Sequence, residues 1–365
     1  MLNLSALHAP IRSQLETALM EVLHSGKYIN GPQVPAFESA LATQLHVNHV
    51  IGVSSGTDAL LATLMALGVQ PGDRIITTPY TFFATAGAIA RLGAIPVFAD
   101  IVPGTFNLDT RQMEALVDDR TVGIVPVHLF GGAADMATIC DIARRHQLWV
   151  LEDAAQALGG KVADGRQTGT PGTAGTFSFF PGKNLGAMGD AGAVATNDDG
   201  LANRIRAIRG HGASEKYFHE HIGGNFRLDT LQAALLNVKL PYLDAWNQHR
   251  REAALRYTAA LATCSEIVCP TDSPGHVYNQ YVIQFTTDKR NDVRDALLKK
   301  NIACAVYYPT PLHLQPAFRK LGYAAGDFPV AECASATTLA LPVSPTITEN
   351  EQMKVVKTIL NELHT

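Results

Sequence analysis

Short apolar runs alternate with helix-like stretches between His49 and Asn197, and this alternation limits the chain to few architectures. The runs HVIGVS, DRIITT, IPVFAD, VGIVPVHL, LWVLED, TFSFF and GAVATN predict strands. Stretches such as TDALLATLMALG and MATICDIARRH lie between them and have the apolar spacing of helices. Strands that alternate with helices form a largely parallel sheet with helices on its faces. The pattern therefore predicts an α/β fold.

The rest of the chain predicts a second, smaller unit. Pro241 interrupts a helical pattern, and the stretch that follows it, YLDAWNQHRREAALRYTAAL, predicts a long helix that crosses to that unit. A strand in VYNQYVIQF, a helix around NDVRDALLKKN and a closing helix from TENEQ indicate an α+β unit. A chain of 365 residues, 47% of them hydrophobic, can bury two cores. We predict a helical arm over residues 1–30, a large domain over 31–240 and a small C-terminal domain over 241–365.

Charge and cysteine content exclude several classes of partner. A net charge of −4 without basic runs gives no electrostatic footprint for nucleic acid or an anionic membrane. The five cysteines are scattered, and no CxxC pair supports a disulfide framework or a zinc site. His211, His219 and His221 are too irregularly spaced for metal ligands, so no metal is expected. The opening residues predict an amphipathic helix and not a secretion signal, which favours a cytoplasmic location.

The junction after the first predicted strand is suited to an anion. Ser55, Gly56 and Thr57 lead into a helix whose N-terminus can bind a phosphate. The alternative is that Ser55 or Thr57 only caps that helix. Neither GxGxxG nor a P-loop occurs in the chain, which argues against a nicotinamide dehydrogenase.

A carboxylate ends the strand in LWVLED. Side chains alternate along a strand, so Glu152 and Asp153 face opposite ways, and the phase with Leu151 favours Asp153 on the ligand side. The alternative role for Asp153 is to cap the next helix. Gln156 lies near the start of that helix and could reach the same ligand.

One lysine follows the aromatic strand TFSFF and lies between Gly182 and Asn184. Lys183 could lose bulk water there and have a lowered pKa, as a Schiff-base lysine requires, although a surface lysine on a turn is the simpler interpretation. Ser178 alternates with the aromatic residues and could place its hydroxyl on a ligand. Further along, Asn225 lies in a glycine-rich loop before an amphipathic helix.

Linked motifs along nearly the whole chain resemble the DegT-type sugar aminotransferases. They are GKYINGPQVPAFE, SSGTDAL, PVHLFGGAADM, LEDAAQALGG, FSFFPGKNLGAMGDAGAV, KYFHEHIGGNFRLDTLQAALL and YYPTPLHLQPAF. This family comprises fold-type I pyridoxal-phosphate enzymes that act on keto sugars linked to a nucleotide. The resemblance implies a large domain with a mostly parallel mixed sheet and a smaller C-terminal α+β domain.

The resemblance implies a role for each matching residue. Lys183 would form the Schiff base with pyridoxal 5'-phosphate, and Asp153 would hold the pyridine nitrogen protonated. The other implied cofactor contacts are Ser55, Gly56, Thr57 and Ser178 at the phosphate, Gln156 near the ring oxygen and Phe82 on the ring face. Asn225 would reach the phosphate of the partner subunit, which implies a homodimer with shared active sites.

Substrate contacts are implied for Tyr217, His219, Tyr307 and His313. Tyr307-Tyr308-Pro309 stands where many relatives have His-Tyr-Pro, and Phe180 replaces the tyrosine common in the family. The implied reaction moves an amino group from an amino acid, by resemblance L-glutamate, to a keto sugar linked to dTDP or UDP. A 3-keto sugar is favoured over a 4-keto sugar.

Two alternatives share the predicted fold. A keto-sugar dehydratase of this fold has a histidine in place of the Schiff-base lysine, and Lys183 argues against it. A non-catalytic regulatory protein could keep the fold and the cofactor. The joint presence of Asp153, Lys183 and Asn225 favours an enzyme.

Overall fold

A seven-stranded sheet forms the centre of the computed structural model, which describes residues 3–364. Its strands are β1 (His49–Val53), β2 (Arg74–Thr77), β3 (Ile95–Phe98), β4 (Thr121–Ile124), β5 (Trp149–Asp153), β6 (Ala174–Ser178) and β7 (Gly192–Thr196). Their order is β1-β7-β6-β5-β4-β2-β3. Strand β7 pairs antiparallel with β1 and β6, and every other pair is parallel. The predicted α/β class with a mostly parallel mixed sheet is confirmed.

Helices cover both faces of this sheet. They are α1 (Leu4–His8), α2 (Arg12–Ser25), α3 (Gln33–Leu45), α4 (Gly56–Ala66), α5 (Ala84–Arg91), α6 (Thr110–Met113), α7 (Met136–His146), α8 (Asp199–Arg209) and α9 (Thr230–Lys239). Side chains alternate between the faces, so Leu151 packs in the core of α4, α5 and α8, whereas Val150 packs with α6 and α7. Phe177 packs on the second face with α3 and α9.

The N-terminal helix is interrupted where a continuous one is predicted. A 3₁₀ turn over Ala9–Ile11 separates α1 from α2, because Pro10 lacks a backbone N–H group. Ile11 and Leu15 join the core formed by α3 and α9, so this segment packs on the main sheet layer. Met1, Leu2 and Thr365 lie outside the described residues.

A hairpin and a second core complete the chain. The elements are β8 (Ala213–Glu215), β9 (Phe218–His219), α10 (Leu243–Leu261), β10 (Ile267–Val268), β11 (Tyr281–Phe285), α11 (Arg290–Lys299), α12 (Pro329–Thr337), β12 (Thr338–Leu341) and α13 (Glu349–Leu363). Strands β10, β11 and β12 form an antiparallel sheet. Helix α10 joins the two bodies, since Leu243 packs in the core with α9 and Leu261 packs with the small sheet. None of the helices within residues 3–364 has the length and apolarity needed to cross a bilayer.

A buried carboxylate and a glycine fix the connection between β5 and β6. Glu152 accepts hydrogen bonds from the backbone N–H groups of Gly169 (2.9 Å) and Gly172 (2.7 Å) and from His128 Nε2 (2.8 Å). These bonds hold the connection close against β6. A Cβ at Gly175 in β6 would overlap the backbone of Gly169 in the connection. Only glycine fits this position of β6.

We therefore expect Gly175→Ala to lower the thermal unfolding midpoint by about 2–10 °C, because backbone must move to admit the methyl group. Gly210→Ala is the matched control, since its Cβ would meet nothing closer than 3.7 Å. Differential scanning fluorimetry of both variants checks the expectation. Equal midpoints would show that the connection is not packed as described.

Candidate active site

A cavity of about 490 Å³ opens at the carboxyl ends of β1, β2, β4, β5 and β6. Ligands of open α/β sheets bind at this edge. Among the predicted site residues, the cavity wall contains Ser55, Gly56, Thr57, Phe82, Asp153, Gln156, Ser178, Lys183 and Tyr307. Residues distant in sequence thus meet in one pocket.

The Lys183 amine is the unpaired cation of this pocket. Its backbone N–H donates to the Phe180 carbonyl (2.8 Å), whereas its Nζ has no hydrogen-bond partner among residues 3–364. Burial lowers the pKa of Lys183 to about 8, and the nearby negative charge of Asp153 opposes this shift. The neutral form of the amine is therefore reached at lower pH than for an exposed lysine.

The loop that carries Lys183 is anchored from below by a second lysine. Lys239, at the C-terminal end of α9, is buried and donates from Nζ to the Gly186 carbonyl (2.7 Å). Burial also lowers the pKa of Lys239 to about 8. Lys239 does not line the pocket, so its amine is engaged in structure while that of Lys183 is free.

The alternation in β5 places one carboxylate in the pocket. Asp153 is buried, and its Oδ2 accepts from the Thr85 hydroxyl (2.8 Å) while its Oδ1 accepts from the Ala155 N–H (3.2 Å). Glu152 points to the opposite side, toward His128. These bonds fix the orientation of the Asp153 carboxylate in the pocket.

The N-terminus of α4 forms one end of the pocket. Ser55 caps the helix by accepting the Asp58 N–H (3.0 Å), so the capping role and the pocket position coexist. The N–H groups of Gly56 and Thr57 have no partner within a helix, because they belong to its first turn. A Cβ at Gly56 would lie 2.7 Å from Ser178 Cβ, so glycine is required for this close approach.

Aromatic side chains form the remaining walls. The Phe82 side chain is 59% exposed although it lines the pocket, whereas its neighbour Phe83 packs against Phe318 with ring centroids 5.3 Å apart.

The Gln156 side chain is fixed at both ends of its amide: Oε1 accepts from the Phe130 N–H (2.6 Å), and Nε2 donates to Tyr308 Oη (3.1 Å).

Four predicted residues lie outside this pocket. Asn225 is exposed on a loop, and Tyr217 and His219 lie on the exposed β8–β9 hairpin. His313 is only 2% exposed, because its Nε2 pairs with Glu332 (3.0 Å) and its ring packs on Phe328. The structure therefore does not bring His313 to the cavity wall.

Sequence reasoning missed other lining residues, among them Thr81, Asp190, Asn279 and Gln280. Asn279 and Gln280 lie in the segment just before β11, far from Lys183 in sequence. They lie in VYNQYVIQF, a stretch whose pattern predicts a strand but gives no sign of a binding role.

The pocket fits pyridoxal phosphate group by group. A partly neutral amine suits the aldehyde carbon, a fixed carboxylate suits the pyridine nitrogen and a helix N-terminus with hydroxyls suits the phosphate. The exposed ring of Phe82 offers a flat apolar face for the cofactor ring.

Fold and pocket together define a fold-type I aminotransferase that uses pyridoxal phosphate. Residues 10–360 match the model of the DegT/DnrJ/EryC1/StrS aminotransferase family, and the chain belongs to this family.

Relatives cover almost the full length of the chain. A "pleiotropic regulatory protein" of Geobacillus stearothermophilus is 48% identical over 363 residues, which are 98% of this chain and 97% of the relative. A UDP-N-acetyl-3-dehydro-alpha-D-glucosamine 3-aminotransferase of Acidithiobacillus ferrooxidans is 40% identical, covering 100% and 98%. The S. venezuelae DesV structure, in complex with a ketimine intermediate, superposes with a TM-score of 0.95 at 37% identity, covering 98% and 96%.

The lowered pKa of Lys183 can be tested on the apoprotein. Only the neutral amine reacts with acetic anhydride, so labelling of Lys183 should rise with a midpoint near pH 8, below the ordinary value of 10.5. Asp153→Asn should move the midpoint lower still, because the Asp153 charge favours the ammonium form. Pulse labelling followed by peptide mass spectrometry measures both midpoints. A midpoint near 10.5, or an upward move in the variant, would contradict the described environment.

Proposed function

We propose that this protein transfers an amino group from L-glutamate to the C3 carbonyl of a sugar linked to UDP or dTDP. The observation that carries the proposal is a free lysine amine with a lowered pKa in the same pocket as a fixed aspartate. The name of the A. ferrooxidans relative supports a 3-keto sugar on a nucleotide as the acceptor. Family membership supports amino transfer over other chemistry.

Lys183 has two tasks in this reaction. When bound, pyridoxal phosphate supplies an electron sink and stores the amine between the two half-reactions. Lys183 Nζ is the group that would hold the cofactor covalently in the resting enzyme, and its amine would be free while a substrate amine occupies that position. The released amine then takes the proton from the substrate carbon and returns it, a task that suits a pKa of about 8.

The other pocket residues bind and orient. Asp153 keeps the pyridine nitrogen protonated, since a nearby carboxylate favours the charged form. Ser55, Gly56, Thr57 and Ser178 hold the phosphate. Gln156 uses one amide hydrogen on Tyr308, which leaves the second for the ring oxygen. Phe82 covers the ring face.

We further propose a homodimer in which each chain completes the site of its partner. Asn225 is exposed to solvent. The next residue, Phe226, accepts a hydrogen bond at its carbonyl from the Ser54 N–H (2.9 Å), and Ser54 directly precedes the pocket residue Ser55. The hairpin with Tyr217 and His219 exposes large apolar side chains; Tyr217 is 84% and Phe218 is 62% exposed. Exposed apolar groups of this kind mark interaction surfaces. In the dimer, Asn225 would contact the cofactor phosphate in the partner's site, and Tyr217 and His219 would contact the sugar nucleotide bound there. Tyr307 would contact the sugar nucleotide in the site of its own chain.

A regulatory role is the second candidate, and the name of the G. stearothermophilus relative is the observation in its favour. A regulator could bind the cofactor without transferring amine. Catalysis therefore has to be measured separately from cofactor binding.

The two half-reactions provide that measurement. We expect the holoprotein to release about one 2-oxoglutarate per subunit from L-glutamate, because the amine stays on the cofactor. Addition of a UDP- or dTDP-linked 3-keto sugar should then yield the aminated sugar, detected by mass spectrometry, with 4-keto sugars as the comparison. Lys183→Ala should abolish both steps. A holoprotein that binds cofactor but releases no 2-oxoglutarate would favour the regulatory role.

The shared site predicts complementation between two inactive variants. Lys183→Ala and Asn225→Ala homodimers should each be impaired, whereas subunit exchange creates heterodimers with one intact site. Random mixing should restore about a quarter of wild-type activity, since about half the dimers are mixed and each has one intact site of two. If activity after verified exchange does not rise above that of the mixture before exchange, Asn225 serves its own chain and the shared-site model fails.

A further inference from the structure

Three buried asparagines form a hydrogen-bonded chain next to the loop that carries Lys183. Asn184, Asn247 and Asn279 are only 4%, 8% and 5% exposed. Asn279 Nδ2 donates to Asn184 Oδ1 (2.8 Å), and Asn184 Nδ2 donates to Asn247 Oδ1 (2.5 Å). The chain joins the lysine loop to helix α10 and to the segment before β11, which are far apart in sequence.

Backbone carbonyls fix the orientation of these amides. Asn247 Nδ2 donates to the Leu158 carbonyl (3.0 Å), and Asn184 Nδ2 donates to the Val277 carbonyl (3.0 Å). A carbonyl oxygen only accepts hydrogen bonds, so the nitrogen of each amide has to face its carbonyl. The oxygen of Asn184 is therefore left to accept from Asn279 Nδ2.

One amide nitrogen of this chain contacts the residues on both sides of Lys183. Asn184 directly follows the lysine, and Asn279 Nδ2 also donates, over a longer distance (3.4 Å), to the carbonyl of Gly182, which directly precedes it. Lys183 itself lines the cavity, and its Nζ has no hydrogen-bond partner among residues 3–364. The position of the amine therefore depends on the two flanking residues, and Asn279 holds both of them.

The backbone that carries the Asn279 amide is itself fixed. Arg250 on α10 is buried and donates from Nη1 to the carbonyls of Tyr278 (3.4 Å) and Asn279 (3.3 Å). The Gln280 N–H donates to the Phe130 carbonyl (3.3 Å). The amide thus reaches the lysine loop from a segment that has anchors of its own. A pre-organised donor of this kind holds its acceptors at low entropic cost.

We propose that Asn279 is a positioning residue for Lys183: its buried amide holds the loop on both sides of the lysine and so keeps the amine in the cavity and away from bulk water. Asn184 and Asn247 complete the contact from the loop and from α10. Lys239 also holds this loop, but at Gly186, three residues beyond the lysine. This inference rests on the proposed function for its meaning in catalysis, since it takes Lys183 as the lysine that binds the cofactor.

Asn279→Ala tests the proposal on the apoprotein. Loss of the amide frees both flanking residues and admits water beside the loop, and a better hydrated amine has a higher pKa. We expect the midpoint of acetic anhydride labelling at Lys183 to rise by about 1 pH unit. Asn107→Ala is the matched control, because Asn107 is also 5% exposed and its Nδ2 also donates to two carbonyls, those of Gly132 and Ala133. Asn107 lies outside the cavity wall, so its variant should keep the wild-type midpoint.

A second variant keeps the test decisive if Asn279→Ala does not fold. Asn184→Ala removes the acceptor from the other side of the same hydrogen bond and should also raise the labelling midpoint of Lys183. Where both variants fold, the double variant should shift the midpoint by less than the sum of the two single shifts, because residues in one hydrogen bond are coupled. A fully additive shift would show that the two residues act on Lys183 independently and would overturn the proposed contact.

The outcomes separate this inference from the function on which it rests. If wild type releases 2-oxoglutarate from L-glutamate but the folded Asn279→Ala and Asn184→Ala variants label Lys183 at or below the midpoint of Asn107→Ala, the positioning role is overturned and the aminotransferase function stands. If wild type releases no 2-oxoglutarate while both midpoints rise, the proposed amino transfer fails, and the positioning of the Lys183 amine by Asn279 stands.

Discussion

Withdrawal of one amine from water, at Lys183, is the constraint on which the rest of the site depends. Burial lowers its pKa to about 8, and the negative charge of Asp153 opposes the shift. The amine makes no hydrogen bond within residues 3–364 and faces the cavity, so its position depends on the loop that carries it. Lys239 anchors the loop through Gly186, and Asn279 bonds to the residues on either side of Lys183. The loop is fixed from several directions while its amine stays free.

The sheet supplies the geometry for this arrangement. Because β1, β2, β4, β5 and β6 run in the same direction, their carboxyl ends bring an anion site, a carboxylate and the lysine loop to one edge. Close approach of the backbones requires glycine at Gly56, where a Cβ would meet Ser178, and at Gly192, where it would meet the Ser55 carbonyl. Packing of β1, β6 and β7 therefore sets the width of the pocket at the end formed by Ser55, Gly56 and Ser178.

Local patterns were sufficient to predict the sheet, the break at Pro241, and the positions of Lys183, Asp153 and the helix N-terminus at Gly56. These features depend on residues close in sequence. The break at Pro10 was missed because the apolar spacing of a helix continues on both sides of it. The short strand β12 was missed because all its residues are buried, so its sequence lacks the alternation of a half-buried strand. Asn279 and Gln280 were missed because only tertiary contacts with Arg250 and Asn184 bring them to the pocket. His313 carries a local motif, yet its pairing with Glu332 directs it into an aromatic core.

The identity of the lysine that binds the cofactor is the central claim, and borohydride reduction tests it most directly. The reagent converts the reversible carbon–nitrogen linkage between cofactor and lysine into a stable amine, which peptide mass spectrometry locates. Lys239 is the informative competitor, because burial lowers its pKa to about 8 as well, but its amine is bonded to Gly186. We expect the pyridoxyl group on Lys183 alone. A label on Lys239 or any other lysine, or no label at saturating pyridoxal phosphate, would contradict the account.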